Sequence, residues 1–119
     1  MKLNLQDYRN IVESLNEGII ILNKDNCILY ANKYTQNLLS TNLKNLLNIK
    51  FNSLFSKKLS KLIEDSINSS QNTLSDIEIY DKNNKKLFIN ISTEKVDISD
   101  DFYRLIIIDD ITKIHTEEI

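Results

Sequence analysis

Three places in the chain carry residue types able to do chemistry: the acidic pair Asp109-Asp110 with Thr112 just beyond it, the single cysteine Cys27, and the single histidine His115. Two carboxylates held together can divide acid and base roles, but neighbours on a strand project to opposite sides, so Asp109 and Asp110 form no dyad there. A reactive thiol needs a cation beside it to hold the thiolate. Asn26 and Ile28 flank Cys27 and supply none, so it reads as a small strand hydrophobe. His115 lies beyond the last apolar run and reads as a solvated linker residue rather than a ligand. No Ser/His/Asp set and no glycine-rich phosphate loop is present, and one cysteine permits neither a disulfide nor a cysteine-cluster metal site. The chain is therefore expected to be non-catalytic and metal-free. What remains is hydrogen-bonding chemistry: Asp110 and Thr112 can satisfy the orphan N–H groups of a helix start, and the polar stretch after Ile111 looks like such a helix.

Regular elements must position these groups, and hydrophobic periodicity locates them. Leu5, Tyr8, Val12 and Leu15, with Ile11 beside them, recur at helical spacing over about residues 5–15. Asn16-Glu17-Gly18 breaks that pattern. Ile19–Leu22 reads as a strand, Asn23 to Asn26 as a four-residue loop, and Cys27–Ala31 as the second strand of a hairpin. Asn32 has the chemistry of a helix N-cap, and Leu38 and Leu39 close the short helix it opens. Leu43, Leu46, Leu47, Phe51, Leu54 and Phe55 suggest one or two helical turns. A longer helix is expected from about Ser56 to Ser70, with Leu59, Leu62, Ile63 and Ile67 on its apolar face.

From there the period becomes two. Ile77 and Ile79, then Leu87, Ile89, Ile91 and Thr93, alternate with polar residues. Turns fall at Asp81–Lys85, tightest at Asn83-Asn84, and at Ser99-Asp100-Asp101, and the last strand spans about Phe102 to Asp109. The order is one helix, two strands, several helices and three strands. That makes an α+β fold: a five-stranded antiparallel sheet with helices inserted between strands two and three.

Composition agrees with one soluble domain: 119 residues, 41% hydrophobic and 27% charged. A net charge of −2 gives no footprint for nucleic acid or an anionic membrane surface. Apolar runs are strand-sized, the N-terminus has no signal-peptide pattern, and a cytoplasmic location is expected. With one glycine and no proline, the turns must be made by Asn and Asp, which tolerate the left-handed conformation.

This order, with three local signatures, resembles the PAS domain, a sensory module of bacterial signalling proteins. The first signature is YRNIVESLNEGIIILNKDNCILYANKYTQNLL, in which Gly18 takes the place of the glycine before the first strand and Asn32 that of the asparagine opening the first inserted helix. The second is the hairpin DKNNKKLFINIS. The third is Asp110-Ile111-Thr112, which matches the Asp-x-Thr motif that closes many PAS domains and opens the helix toward the next domain. Ser40 departs from the pattern, standing where the family often has a glycine, and a Leu-rich stretch replaces the usual polar residues of the middle segment.

The resemblance implies a cap helix at residues 1–16, a core at 17–112 and the start of a signalling helix at 113–119, with Asp110 and Thr112 relaying signal into it. That helix is expected to lead to an output domain beyond residue 119: a histidine kinase on family frequency, with a diguanylate cyclase or transcription activator as the alternative. Strand parity sorts the sheet into two faces. One carries Ile20, Leu22, Ile28, Tyr30, Ile77, Ile79, Leu87, Ile89, Ile91, Thr93, Ile106 and Ile108, and by resemblance lines the PAS cavity. The other carries Ile19, Ile21, Leu29, Phe88, Leu105 and Ile107, apolar enough to need a cover, which Leu5, Tyr8 and Val12 of the first helix or a second subunit would supply. A homodimer is expected.

Flavin-binding relatives need a cysteine in the helical segment and amides on the inner strands, where this chain has Ile79, Ile89 and Ile108. Haem-binding relatives take a histidine from the long helix, and His115 lies past the core. No cofactor is expected. The cavity is either filled by its own side chains or holds a small apolar ligand.

Overall fold

The structure is a computed structural model and describes residues 4–68, 73–98 and 100–117, with the side chains of residues 58, 67, 68 and 115–117 left aside. The Ile67 and His115 side chains, Ser70, Ser99 and the outermost residues of both terminal ranges thus lie outside the described residues.

The first helix, α1, spans Leu5–Val12. A reciprocal capping box opens it: Asn4 Oδ1 accepts from the Asp7 N–H at 2.9 Å, and Asp7 Oδ2 accepts from the Asn4 N–H at 3.0 Å. It ends three residues before the periodicity suggested, because the Val12 carbonyl accepts a side-chain amide from Asn32 and the chain tightens into shorter turn bonds. Leu15, expected on the buried stripe, is 41% exposed.

Strands β1 (Gly18–Leu22) and β2 (Ile28–Ala31) form the hairpin. Next come α2 (Lys33–Leu38), α3 (Leu43–Leu46), a 3-10 turn at Phe51–Leu54 and α4 (Lys57–Asn68). Then β3 (Thr73–Tyr80), β4 (Lys86–Ile98) and β5 (Asp101–Asp110) follow, and α5 starts at Thr112. The sheet is antiparallel with strand order β2-β1-β5-β4-β3. Six non-glycine residues have positive φ among those described: Asn26, Ser40, Asn48, Asp76, Asn84 and Asp100. Five are Asn or Asp, the residue types whose short side chains make that conformation tolerable. The sixth is Ser40, at φ 55°, the position where the family often has glycine.

Two apolar layers cover the sheet. The inner one joins Ile20, Leu22, Ile28, Ile77, Ile79, Leu87, Ile89, Ile91, Ile106 and Ile108 to Leu46, Phe51 and Ile63 from the inserted helices. Phe51 is fully buried, and a side chain of that size contributes about 1.5–3 kcal/mol by leaving water. Leu59 and Ile63 take the core side of α4, which leaves Leu62 on its flank and 46% exposed, contrary to its expected place on the apolar face. In the outer layer α1 packs Val12, Leu5 and Tyr8 on Ile19, Ile21, Leu105 and Ile107.

Tyr30 corrects the parity reading. It belongs to the outer layer with Val12, Ile19 and Ile21, not to the cavity face. Ile21 stands opposite Tyr30 but Leu22 opposite Ile28, so Leu29 is an extra residue in β2. A bulge of this kind reverses facing for everything past it. Leu29 itself joins neither layer of buried residues. Phe88, placed with the outer cover by parity, is also absent from that layer and is half-buried beside the start of α5.

Candidate functional site

β5 ends at Asp110 and α5 begins at Thr112, and their side chains tie the turn between them. Asp110 Oδ1 accepts from the Thr112 N–H at 3.0 Å and from its hydroxyl at 2.6 Å. A hydroxyl has one proton, and the carboxylate at 2.6 Å takes it in preference to Phe88 O at 3.4 Å. The Thr112 hydroxyl oxygen in turn accepts the Phe88 N–H at 3.0 Å, and the Ile111 N–H donates to Phe88 O at 2.9 Å. The start of α5 is therefore bonded to β4 as well as to β5, a link the sequence reading did not contain. Asp109 and Asp110 both lie within β5, opposite Asn90 and Ile89, so their carboxylates point to opposite faces.

The beginning of β1 lies at the same end of the sheet, because Gly18 stands opposite Ile108. A Cβ on Gly18 would meet Thr35 Oγ1 at 3.0 Å and Ile108 Cβ at 3.1 Å, so α2 can sit this close only over a glycine. Tyr34, on α2, is half exposed nearby. Burial pushes its phenol pKa up, and the Asp110, Asp109 and Glu17 carboxylates push it further.

Asn32 is the hub of this end, 1% exposed. Its Nδ2 donates to Val12 O at 2.9 Å and Glu17 O at 2.8 Å. Its Oδ1 accepts from the Ile19 N–H at 3.0 Å, the Thr35 N–H at 3.1 Å and the Thr35 hydroxyl at 2.8 Å. The expected N-cap is there, and it also fastens the end of α1 and the start of β1. Thr35 and Gln36, both buried, were not singled out by sequence reasoning. The signal available was two polar residues next to the N-cap of a helix too short to be amphipathic. Arg9 and Glu13 were missed for another reason: their partner Tyr30 had been assigned to the opposite face.

On the cavity face, Ile79, Ile89 and Ile108 are 6%, 0% and 1% exposed, and Thr93 supplies the buried hydroxyl on these strands. These positions present alkyl groups, which can pack against an apolar molecule or one another but cannot orient a flavin or ligate haem iron. Among the described residues no three His, Cys, Asp or Glu side chains gather as metal ligands would. Cys27 is half-buried beside β2, bridged to Lys50 through backbone. A cleft of about 420 Å³ opens at the edge of β3, lined by Leu54, Phe55, Leu59, Ile79 and Tyr80 among others.

The PAS domain family profile matches residues 16–113, most of the chain. The chain belongs to the PAS domain family. Members are generally non-catalytic sensory modules, which commonly dimerise and link to output domains. No curated protein matches it. Among solved structures it is similar to a PAS domain from Desulfitobacterium hafniense, at 17% identity and TM-score 0.71, over 85% of this chain and 98% of that one. It is similar to the PAS domain of nitrogen regulation protein NR(II) from Vibrio parahaemolyticus, at 20% identity and TM-score 0.65, over 91% and 99%. A PAS domain from a two-component sensor histidine kinase gives 11% identity and TM-score 0.71, over 88% and 94%. Among the described residues no helix is long and apolar enough to cross a membrane.

Proposed function

We propose that this PAS domain is a cytoplasmic sensory and dimerisation module whose signal leaves through β5, the Asp110–Thr112 junction and α5, toward the output domain of a sensor histidine kinase. The observation that carries this reading is the Thr112 side chain, bonded at once to Asp110 of β5 and to the Phe88 N–H of β4. A slide of β5 along β4 strains both bonds and turns the helix they hold. The likeness to a histidine-kinase PAS domain supports that class of output. Ile11 on α1 and Leu15 just beyond its end, 48% and 41% exposed, leave apolar surface outside the stripe packed on the sheet, and this supports pairing with a second copy.

A second reading is a ligand-free interaction module, of a diguanylate cyclase or transcription activator, that only sets helix register. The near-zero exposure of Ile20, Ile89 and Ile106 against Phe51 favours a filled core over a ligand-holding one.

Native and denaturing mass spectra of the purified domain test occupancy and dimerisation together. A dimer of bare chains is expected; bound flavin or haem would overturn the cofactor reading, and a monomer the dimer. The relay is tested by joining the domain in register to a histidine kinase's catalytic half. Thr112→Val should leave autophosphorylation present but indifferent to changes in the domain, such as Ile89→Phe in the core. A kinase that still responds to Ile89→Phe as the unmodified fusion does sinks the relay.

A further inference from the structure

α1 has eight residues, a length at which a helix in water does not hold itself. It persists because it is docked: its last carbonyl, Val12 O, accepts the Asn32 amide, and three further kinds of contact hold it. Val12, Leu5 and Tyr8 pack on the outer sheet face. The Arg9 guanidinium lies 4.4 Å from the centre of the Tyr30 ring. The third contact is the Glu13 carboxylate, just past the last residue of the helix, which reaches both the sheet and an inserted helix. Its Oε2 accepts the Tyr30 hydroxyl of β2, and its Oε1 accepts the Lys33 N–H at 2.8 Å. The Lys33 N–H is the first of α2 and has no partner within its own helix. One carboxylate thus joins α1, the sheet and the first inserted helix.

The Tyr30 arm exists only because the bulge at Leu29 turns the phenol outward. The α2 arm depends on how α2 is seated. Gln36 fastens that helix, its Nε2 donating to Ala31 O at 3.0 Å and its Oε1 accepting the Leu43 N–H at 3.1 Å. Glu13 is exposed to solvent while Tyr30 is buried, so the Lys33 arm is the more easily released of the two.

We infer that Glu13 is a positioning residue coupling the N-terminal helix to the inserted helices. α1 stays folded on the sheet while α2 is seated, and a shift of α2 releases α1 and uncovers Ile19, Ile21, Tyr30, Leu105 and Ile107. This coupling is independent of the relay through Asp110 and Thr112, which leaves the domain by the other terminal helix.

Amide hydrogen exchange, followed residue by residue on the 119-residue chain, tests it. Gln36→Ala unseats α2 without touching α1, and should speed exchange of the α1 amides by about fivefold or more. In a Glu13→Ala background the carboxylate link from α2 to α1 is cut, and Gln36→Ala should add little to α1 exchange there. Tyr30→Phe removes only the sheet arm: α1 should exchange faster, and its response to Gln36→Ala should be blunted, while the Lys33 amide keeps its protection. Additive effects of Gln36→Ala and Glu13→Ala overturn the coupling, as does a full response in the Tyr30→Phe background. An equal rise across α4 and β5 in Glu13→Ala overturns it too, since Glu13 would then be a residue of general stability only.

Discussion

The Ser40 hydroxyl donates to Asp81 Oδ2 at 2.9 Å, across a sequence separation of 41 residues. Beside it the Lys82 N–H donates to Leu39 O at 3.2 Å, so the turn between β3 and β4 is buttoned to the end of α2. The other carboxylate oxygen of Asp81 accepts the N–H groups of Asn83 and Lys85 at 2.8 and 2.9 Å. Together they tie hairpin and inserted helix into one body.

Those bonds make Asp81 an acid-sensitive fastener. The Lys85 N–H bond most of all, then the Ser40 and Asn83 bonds, hold its carboxyl below the usual aspartate value. A lowered folded pKa contributes stability above the unfolded pKa, near 4, and loses it as pH falls through the folded value. Asp81→Asn should therefore melt earlier than the parent at neutral pH, and the gap should close as the pH falls below about 4. Melting curves between neutrality and acid check this. A gap that stays constant would assign the loss to shape rather than charge.

Asn32→Ala should be among the most damaging single changes in the chain. It removes five hydrogen bonds at a buried site, leaving the Glu17 carbonyl and the Ile19 and Thr35 N–H groups without this partner and the Val12 carbonyl with the Leu15 N–H at 3.3 Å. At about 1–3 kcal/mol for each buried group left unmade, the loss should exceed about 3 kcal/mol in urea denaturation. A loss below about 1 kcal/mol would mean that water replaces the amide at little cost.

Gly18→Ala should destabilise by about 1–3 kcal/mol through overpacking. The added methyl meets Thr35 Oγ1 at 3.0 Å, but also Ile108 Cβ at 3.1 Å and Ile108 O at 3.3 Å in a paired strand that cannot retreat. Combining it with Thr35→Ala should cost less than the sum of the two changes, because the shorter side chain yields part of the room. Strict additivity would point away from that contact.

Thr112→Val should act locally. The Phe88 N–H loses its acceptor and Asp110 loses a donor, while Ile111 N–H to Phe88 O remains. Exchange of the Phe88 amide and of the start of α5 should quicken, with the amides of β1 unchanged. An unchanged Phe88 amide would show that α5 is held by something other than Thr112.

Much of this architecture was readable from the chain. Period-two runs such as Leu87-Ile89-Ile91-Thr93 can bury one side only in a strand, and Asn32 before a short helix has few other uses. In a chain with one glycine, positive φ at Asn26, Asn84 and Asp100 is where turn chemistry had to fall. Tyr30 was not readable, and the reason is physical. Cys27 to Ala31 is apolar throughout, so alternation carries no parity, and a bulge depends on how two strands settle against each other. Val96, Ile98 and Tyr103, which line a crevice with Tyr8, Ile21 and Leu105 of the outer layer, escaped for a related cause. They sit where β4 and β5 run on past β1 and β3, a reach that strand pairing decides and local pattern does not. Glu13 and Arg9 look like ordinary solvent-facing helix charges until Tyr30 is known to lie beneath them.

Gly18 opposite Ile108 has an architectural consequence. Because β1 and β5 are antiparallel neighbours, the backbone comes into the sheet and departs from it side by side. A fold arranged in this way behaves as a cassette: it can be spliced into a longer polypeptide, duplicated in tandem or deleted, and the flanking helices still meet at nearly one point.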